Sequence, residues 1–134
     1  MATRPSDSWR ALMAEMLRDV AAGTLDAECA CPDLFPESFL QATDAALAAF
    51  ERDMRSLNMP SDEAVLGAVE KVVLALNAVD ADGRHGSAGY CTIEREELCD
   101  YIDLTLNEHG VDVMALSSRQ GIGEAGITDQ WRDW

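Results

Sequence analysis

The sequence predicts an all-α fold, a single-domain array of four helices arranged much as in a four-helix bundle, with a docked C-terminal tail. Four segments carry apolar residues at three- and four-residue steps, the period of one helix face. Gly or Pro residues separate these segments and mark helix ends. We therefore expect principal helices near residues 8–22, 36–58, 61–79 and 92–109 within one domain that spans 1–134, with little or no sheet.

The first helix is predicted from a single apolar stripe that follows a polar lead over residues 1–7. Ser8 or Asp7 is the expected N-cap, and Gly23 occupies the position just past the end, where glycine is favoured. The stripe residues are Trp9, Leu12, Met13, Met16, Leu17 and Val20. A stripe of this regularity is expected to pack into the core.

The second helix is predicted to begin near Pro36, because proline suits the first helical turn, and Ser38 and Gln41, spaced as a capping box, mark an alternative start. It ends before Pro60, since proline disfavours helical geometry at the preceding Met59. Its core-facing residues are Phe39, Ala46, Phe50, Met54 and Leu57, with Leu40 and Leu47 beside them. Ser61 is the expected N-cap of the helix that follows.

The segment from Pro60 to Val79 predicts the central helix of the protein. One face repeats apolar residues at helical spacing: Val65, Val69, Val72, Leu76 and Val79. The opposite face adds Gly67, Leu74 and Ala78, so most of the circumference is apolar. A helix of this kind is expected to be covered on all sides. The valines also suit a strand, but the run is too long for one.

The fourth helix is predicted over residues 92–109, with Thr92 as N-cap. Its inward-facing residues are Leu98, Ile102, Thr105 and Leu106, flanked by Tyr101. On the opposite side Glu96, Asp100 and Asp103 follow one another at helical spacing, where like charges repel by roughly a few tenths of a kcal/mol per pair. This acidic stripe is either a solvated face or a docking surface.

The cysteines and histidines do not form a recognisable metal site. The four cysteines are Cys29, Cys31, Cys91 and Cys99. The Cys-x-Cys spacing is too short for a zinc ribbon or finger, and His85 and His109 do not complete one. Asp80-x-Asp82 begins like a calcium loop, but Cys91 stands where the terminal glutamate is required. We therefore expect no metal, no cofactor and reduced thiols.

The last quarter of the chain has a weaker pattern. Val113, Met114 and Leu116 allow a short helix. Residues 121–126 match G-x-G-x-x-G as a string but lack the strand and helix of a dinucleotide site, so a flexible loop is predicted. Thr128 is expected to cap a last turn that brings Trp131 and Trp134 to one side, docked on the helices.

Composition narrows the classes of partner. The chain has 25 acidic and 10 basic residues and a formal net charge of −15. Nucleic acid and anionic membrane are therefore poor partners, whereas a basic protein is complementary. The acidity also serves solubility. No secretory signal or membrane span is evident, which predicts a cytoplasmic protein. Lys71 is the only lysine, and the many alanines suggest a bacterial genome rich in G and C.

Two stretches carry a family resemblance. T-I-E-R-E-E-L-C-D-Y-I-D, from Thr92 to Asp103, and the ending I-T-D-Q-W-R-D-W resemble small acidic helical bacterial proteins of an uncharacterised, immunity-protein-like family. Ile93 departs from that pattern, where an acid is more usual. The resemblance implies a helical fold and a role beside a toxin system. The immunity proteins of colicin nucleases offer an analogy of class, since they too are small, acidic and helical.

The sequence predicts a binding protein without enzymatic activity. The first hypothesis is an immunity-type inhibitor of a basic toxin or nuclease, and the alternative is a structural or oligomerisation module. The expected contact residues are Glu96, Glu97, Asp100, Tyr101 and Asp103. In this hypothesis the tyrosine anchors the partner and the carboxylates steer it. With two histidines and no triad spacing, an enzyme is the weakest of the three classes.

Overall fold

The computed structural model describes residues 3–26, 35–58, 60–83, 89–122 and 126–134, and most of these residues are helical. Within these ranges there is no strand, and five helices pack together: α1 Pro5–Ala22, α2 Glu37–Ser56, α3 Asp62–Ala81, α4 Thr92–Glu108 and α5 Val113–Arg119. The predicted all-α fold is therefore confirmed. Helices α1 to α4 correspond to the four predicted helices, and α5 is the short helix that the weaker pattern allows.

Helices α2 and α3 form the largest interface between elements. The apolar residues predicted for the core of α2 are buried, apart from Leu57, which is half-buried: Phe39, Leu40, Ala46, Leu47, Phe50 and Met54. The predicted face of α3 is buried except for half-buried Val79: Val65, Val69, Val72 and Leu76. These two stripes make the centre of the core, as their periodicity predicts.

The opposite face of α3 is not covered, which corrects the expectation that this helix is enclosed. Leu74 is 49% exposed, and Gly67 and Ala78 are exposed too. Helix α2 and the C-terminal tail cover only part of the circumference. The small side chains of glycine and alanine make this face inexpensive to leave in water, because they offer little apolar area.

Helix α1 begins three residues earlier than predicted. Pro5 is its first residue, and Arg4 stands at the N-cap without a capping side-chain bond. Proline suits this position, because its fixed backbone angle is helical and it has no N–H to leave unpaired. The predicted caps, Asp7 and Ser8, thus lie inside the helix. At the other end Gly23 has φ 76°, and its N–H reaches carbonyls of the last turn, as predicted.

The apolar stripe of α1 is buried only at its start. Trp9 is 3% exposed, but Leu12 is 45% and Leu17 is 58% exposed. The remaining stripe residues, Met13, Met16 and Val20, are half-buried. The expectation that the whole stripe packs into the core is therefore wrong. Polar contacts hold the first half of α1 on α2, including Ser6 donating to Asp44 and an Arg10–Asp44 ion pair at 2.7 Å.

The helix caps agree with prediction for α3 and differ for α4. Ser61 Oγ accepts a hydrogen bond from the Ala64 N–H at 3.1 Å, as its position predicts. Thr92 is instead the first residue of α4, and Cys91 stands at the N-cap without a side-chain bond. The inward-facing residues of α4 are buried as predicted: Leu98, Tyr101, Ile102, Thr105 and Leu106. Gly110 follows with φ 82°.

The C-terminal tail docks on α3 as predicted. The Asn77 side-chain amide donates to the carbonyl of Trp131 at 2.7 Å and accepts from the Asp133 N–H at 2.9 Å. The Thr128 side chain is buried and contacts Cys99 Sγ at 3.4 Å, so it does not cap the turn. Trp134 is 5% exposed, while Trp131 is half-buried.

An aromatic cluster joins α1 to the tail across the end of the core. Trp9 stacks on Phe35 with ring centroids 5.2 Å apart, and Tyr90 meets the Trp134 ring edge-on at 5.6 Å. The Tyr90 hydroxyl pairs with Thr43 Oγ1 at 2.6 Å, which satisfies its polar end in the interior. Burial raises the pKa of Tyr90, so this hydroxyl is neutral at physiological pH.

Several sequence predictions fall on residues outside the described ranges. These are Cys29 and Cys31, His85, and the middle of the G-x-G-x-x-G string. Cys91 and Cys99 are described, and both are free thiols. Of the helices in the described part of the chain, none combines the length and hydrophobicity that crossing a bilayer requires.

Candidate interaction surface

The outer face of α4 is the surface on which the sequence places its candidate contact residues. Successive turns present exposed side chains at three- and four-residue steps along this face: Ile93, Glu96, Asp100, Leu104 and Asn107. Ile93 is 67% and Leu104 is 54% exposed. These five residues, called the α4 outer face below, combine two carboxylates with two large apolar side chains.

No described residue neutralises the carboxylates of this region. Glu96 and Asp100 are exposed, and Asp103 lies half-buried at the edge of the face. No ion pair from a described Arg or Lys reaches any of the three. Burial, and next the charge of Asp100, raises the pKa of Asp103 above its usual range. Asp100 and Asp103 therefore repel each other when both are charged, and a cation placed between them relieves this repulsion.

Glu97 has a structural role in the fold. It is half-buried, and its Oε2 accepts a hydrogen bond from Trp9 Nε1 at 3.1 Å. This bond ties α4 to the buried start of α1. The buried indole N–H needs an acceptor, and Glu97 provides one. Glu97 thus borders the α4 outer face without having its carboxylate free.

Tyr101 is not part of the surface, which corrects its predicted role as an anchor. Its side chain is 2% exposed, and its hydroxyl has no hydrogen-bond partner among the described residues. One residue along a helix turns the side chain by about 100°, so Tyr101 points away from the face that Asp100 presents. Burial raises the pKa of Tyr101, and the nearby carboxylate of Glu51 raises it further.

The exposed apolar pair is what sequence reasoning missed. Ile93 and Leu104 are seven residues before and four residues after Asp100, which places them on its face. That spacing is the sequence signal for these two residues, whereas the prediction of Tyr101 rests on the frequency of aromatic residues among anchors. The two apolar residues supply the contact area that Tyr101 does not.

Metal and cofactor chemistry have no evident centre in the described residues. Within them, no group of three or more His, Cys, Asp or Glu side chains is placed to hold a metal ion. Cys99 Sγ lies 3.4 Å from both Arg132 NH1 and Thr128 Oγ1, which fixes the thiol against the tail. His109 Nδ1 lies 2.8 Å from the Thr105 carbonyl at the end of α4.

Comparison of the chain with protein families, with curated proteins and with solved structures gives no match. The likeness to immunity-type proteins therefore stays a prediction. A functional proposal has to rest on the geometry and charge of the protein itself.

Proposed function

We propose that this protein is a binding protein that docks a basic protein on the α4 outer face, as an immunity-type inhibitor of a basic toxin or nuclease. One observation carries the proposal. The face presents Glu96 and Asp100, which pair with no described cation, between Ile93 and Leu104, which are both more than half exposed. One helix face thus combines carboxylates, which attract cations, with exposed apolar side chains, which are stabilised when a partner covers them.

The carboxylates act during the encounter. A surface rich in one charge attracts the opposite charge over a distance that salt screens to about 8 Å at physiological ionic strength. The net charge of −15 adds to this local field. A toxin or nuclease that uses cationic residues to hold nucleic acid presents the complementary surface. Occupying those cations blocks their access to phosphate, which is the inhibition we propose.

The apolar residues act after docking. Ile93 and Leu104 lie three turns apart along the helix, on either side of the carboxylates. Covering them removes apolar area from water and keeps solvent away from the charge pairs. We expect these residues to lengthen the lifetime of the complex, since interface contacts mainly set dissociation.

The test neutralises the charges and measures binding kinetics. The partner is a basic protein encoded beside the gene of this chain. Glu96→Gln, Asp100→Asn and Asp103→Asn together should slow association by roughly ten-fold or more at low salt and flatten its salt dependence. The matched control neutralises three exposed carboxylates elsewhere, Glu15, Glu63 and Glu70, and should change association much less.

The second part of the test measures the dissociation rate of the complex. Ile93→Ser with Leu104→Ser should speed dissociation, while Leu74→Ser, on the exposed face of α3, should leave it unchanged. If the charge-neutral variant associates as fast as the wild type, the interface lies elsewhere. If the wild type binds no basic protein encoded nearby, the acidity serves solubility alone.

The second candidate function is an oligomerisation module, and the exposed half of α1 favours it. Leu12 and Leu17 together leave a partly uncovered apolar stripe. Light scattering across protein concentration distinguishes the two candidates. A stable dimer that Leu12→Ser with Leu17→Ser dissociates supports the module, while a monomer at all concentrations supports the binding protein.

A further inference from the structure

A cavity of about 610 Å³ lies between the start of α1 and the second half of α2, and it gathers positive charge in an acidic protein. Three of the ten basic residues line it, Arg4 from the start of α1 and Arg52 and Arg55 from α2. Its volume is within the range of small-molecule sites. The two carboxylates that also line it are Asp7 and Glu51.

Both lining carboxylates already have a cationic neighbour. Glu51 Oε2 accepts a hydrogen bond from Arg4 Nε at 3.0 Å, and the pair raises the pKa of Arg4. Asp7 lies 3.9 Å from Arg10 on the same helix. The other acid of this turn of α2, Asp53, is 3.2 Å from Lys71 of α3. Glu51 and Asp53 are therefore engaged by other cations, while Asp7 lies at the outer limit of an ion pair.

Arg52 and Arg55 have no partner within the described part of the chain. Neither makes an ion pair or a hydrogen bond with a described residue. Arg55 follows Glu51 by four residues, a spacing that ordinarily gives a helix ion pair, but Arg4 holds that carboxylate. Arg52 and Arg55 are themselves three residues apart, where like charges repel. An anion between them removes this repulsion.

We propose that this cavity binds a small-molecule phosphate monoester. Such a group carries about −1.5 to −2 charges at neutral pH, which matches the two unopposed guanidinium groups. The guanidinium fork fits phosphate oxygens with two parallel hydrogen bonds. Arg4, held in place by Glu51, keeps the third guanidinium of the cavity at a set position. A compact dianion is favoured over a longer polyanion, because the net charge of −15 repels whatever extends beyond the cavity.

The test titrates the protein with a sugar phosphate at low ionic strength, followed by calorimetry and by amide NMR shifts. Wild-type protein should bind one equivalent saturably. Arg52→Gln or Arg55→Gln should each weaken binding roughly ten-fold, the factor that one lost charge-assisted hydrogen bond corresponds to. The matched control is Arg18→Gln, which removes the same charge from an exposed position on α1 outside the cavity and should change affinity less than about two-fold.

Two comparison ligands test which chemical class of anion the cavity prefers. A dicarboxylate and a short single-stranded oligonucleotide should both bind more weakly than the sugar phosphate. The proposal is overturned if wild-type protein shows no saturable binding of the sugar phosphate. It is also overturned if Arg18→Gln loses as much affinity as the cavity variants, or if either comparison ligand binds more tightly than the sugar phosphate. Circular dichroism of each variant confirms that the helices are retained, so that lost binding is not lost folding. This site shares no residue with the α4 outer face, so each proposal is tested independently of the other.

Discussion

Helices α3 and α1 carry equally regular apolar stripes, but the fold treats them differently. On α3 the stripe is buried along almost its whole length, with Val69 and Leu76 at 0% exposure. Of the α1 stripe only Trp9 is buried, and Leu17, two turns further on, is 58% exposed. The two helices are of similar length, 20 and 18 residues, so length does not explain the contrast.

The contrast follows from what lies against each helix. Helix α3 runs alongside α2 over a long interface, and the tail is bonded to its Asn77. Helix α1 is held by its first half, through Trp9 and through polar contacts of Arg4, Ser6 and Arg10. A periodic stripe thus predicts that residues share a face, but not that another element covers the face along its length.

The largest expected effect compares the buried start of the α1 stripe with its exposed second half. Trp9→Ala should destabilise the protein by about 3–5 kcal/mol, because the indole stacks on Phe35 and donates to Glu97. Leu17→Ala should change the unfolding free energy by less than about 0.5 kcal/mol, as at ordinary surface sites. Urea denaturation measures both. Similar losses would mean that the stripe of α1 is covered along its whole length.

The same contrast applies between the two faces of α3. Leu76→Ala should cost about 2–5 kcal/mol, because the side chain is fully buried and truncation leaves a cavity. Leu74→Ala on the exposed face removes the same atoms and should cost less than about 1 kcal/mol. Denaturant midpoints of the two variants give the comparison. If Leu74 costs as much as Leu76, α3 is enclosed on all sides.

The tail is hydrogen-bonded to α3 through Asn77, whereas its link to α1 runs through the ring contacts of Trp134 with Tyr90 and of Tyr90 with Trp9. Asn77→Ala removes both hydrogen bonds to the tail and should cost about 1–3 kcal/mol. It should also increase hydrogen exchange of the Asp133 amide. Asn107→Ala, at an exposed position on α4, is the matched control and should be close to neutral. An unchanged Asp133 amide would show that the other tail contacts, those of Trp134 and of Cys99 with Thr128 and Arg132, hold the tail.

The smallest effect concerns the two helix starts. Ser61→Ala should cost about 0.5–2 kcal/mol, because the Ala64 N–H loses its acceptor. Ser8→Ala should be neutral or slightly stabilising, since Ser8 lies within α1 and alanine is the better helix former. Thermal unfolding of both variants measures the difference. A loss at Ser8 comparable to that at Ser61 would restore the predicted cap of α1.

For the α4 outer face, the sequence predicted the exposed acids but not which other residues lie beside them or which contacts those residues make. Glu96 and Asp100 are exposed as the helical period requires. The sequence predicts Tyr101 as an anchor because aromatic residues are frequent anchors, yet Tyr101 and its neighbour Asp100 face different directions on the helix. Glu97 is engaged by Trp9, which lies 88 residues away in the chain. No local pattern reports a contact between residues so far apart.

By itself, the sequence determined where the helices lie and which residues share each face. Both follow from local physics, because helical hydrogen bonds join residues four apart and side chains repeat every 3.6 residues. Only the tertiary structure decided how far each face is covered and which charges are engaged, as with Arg4 and Glu51, which are 47 residues apart. Burial depends on which surfaces the folded chain brings together, because the hydrophobic effect has no direction of its own.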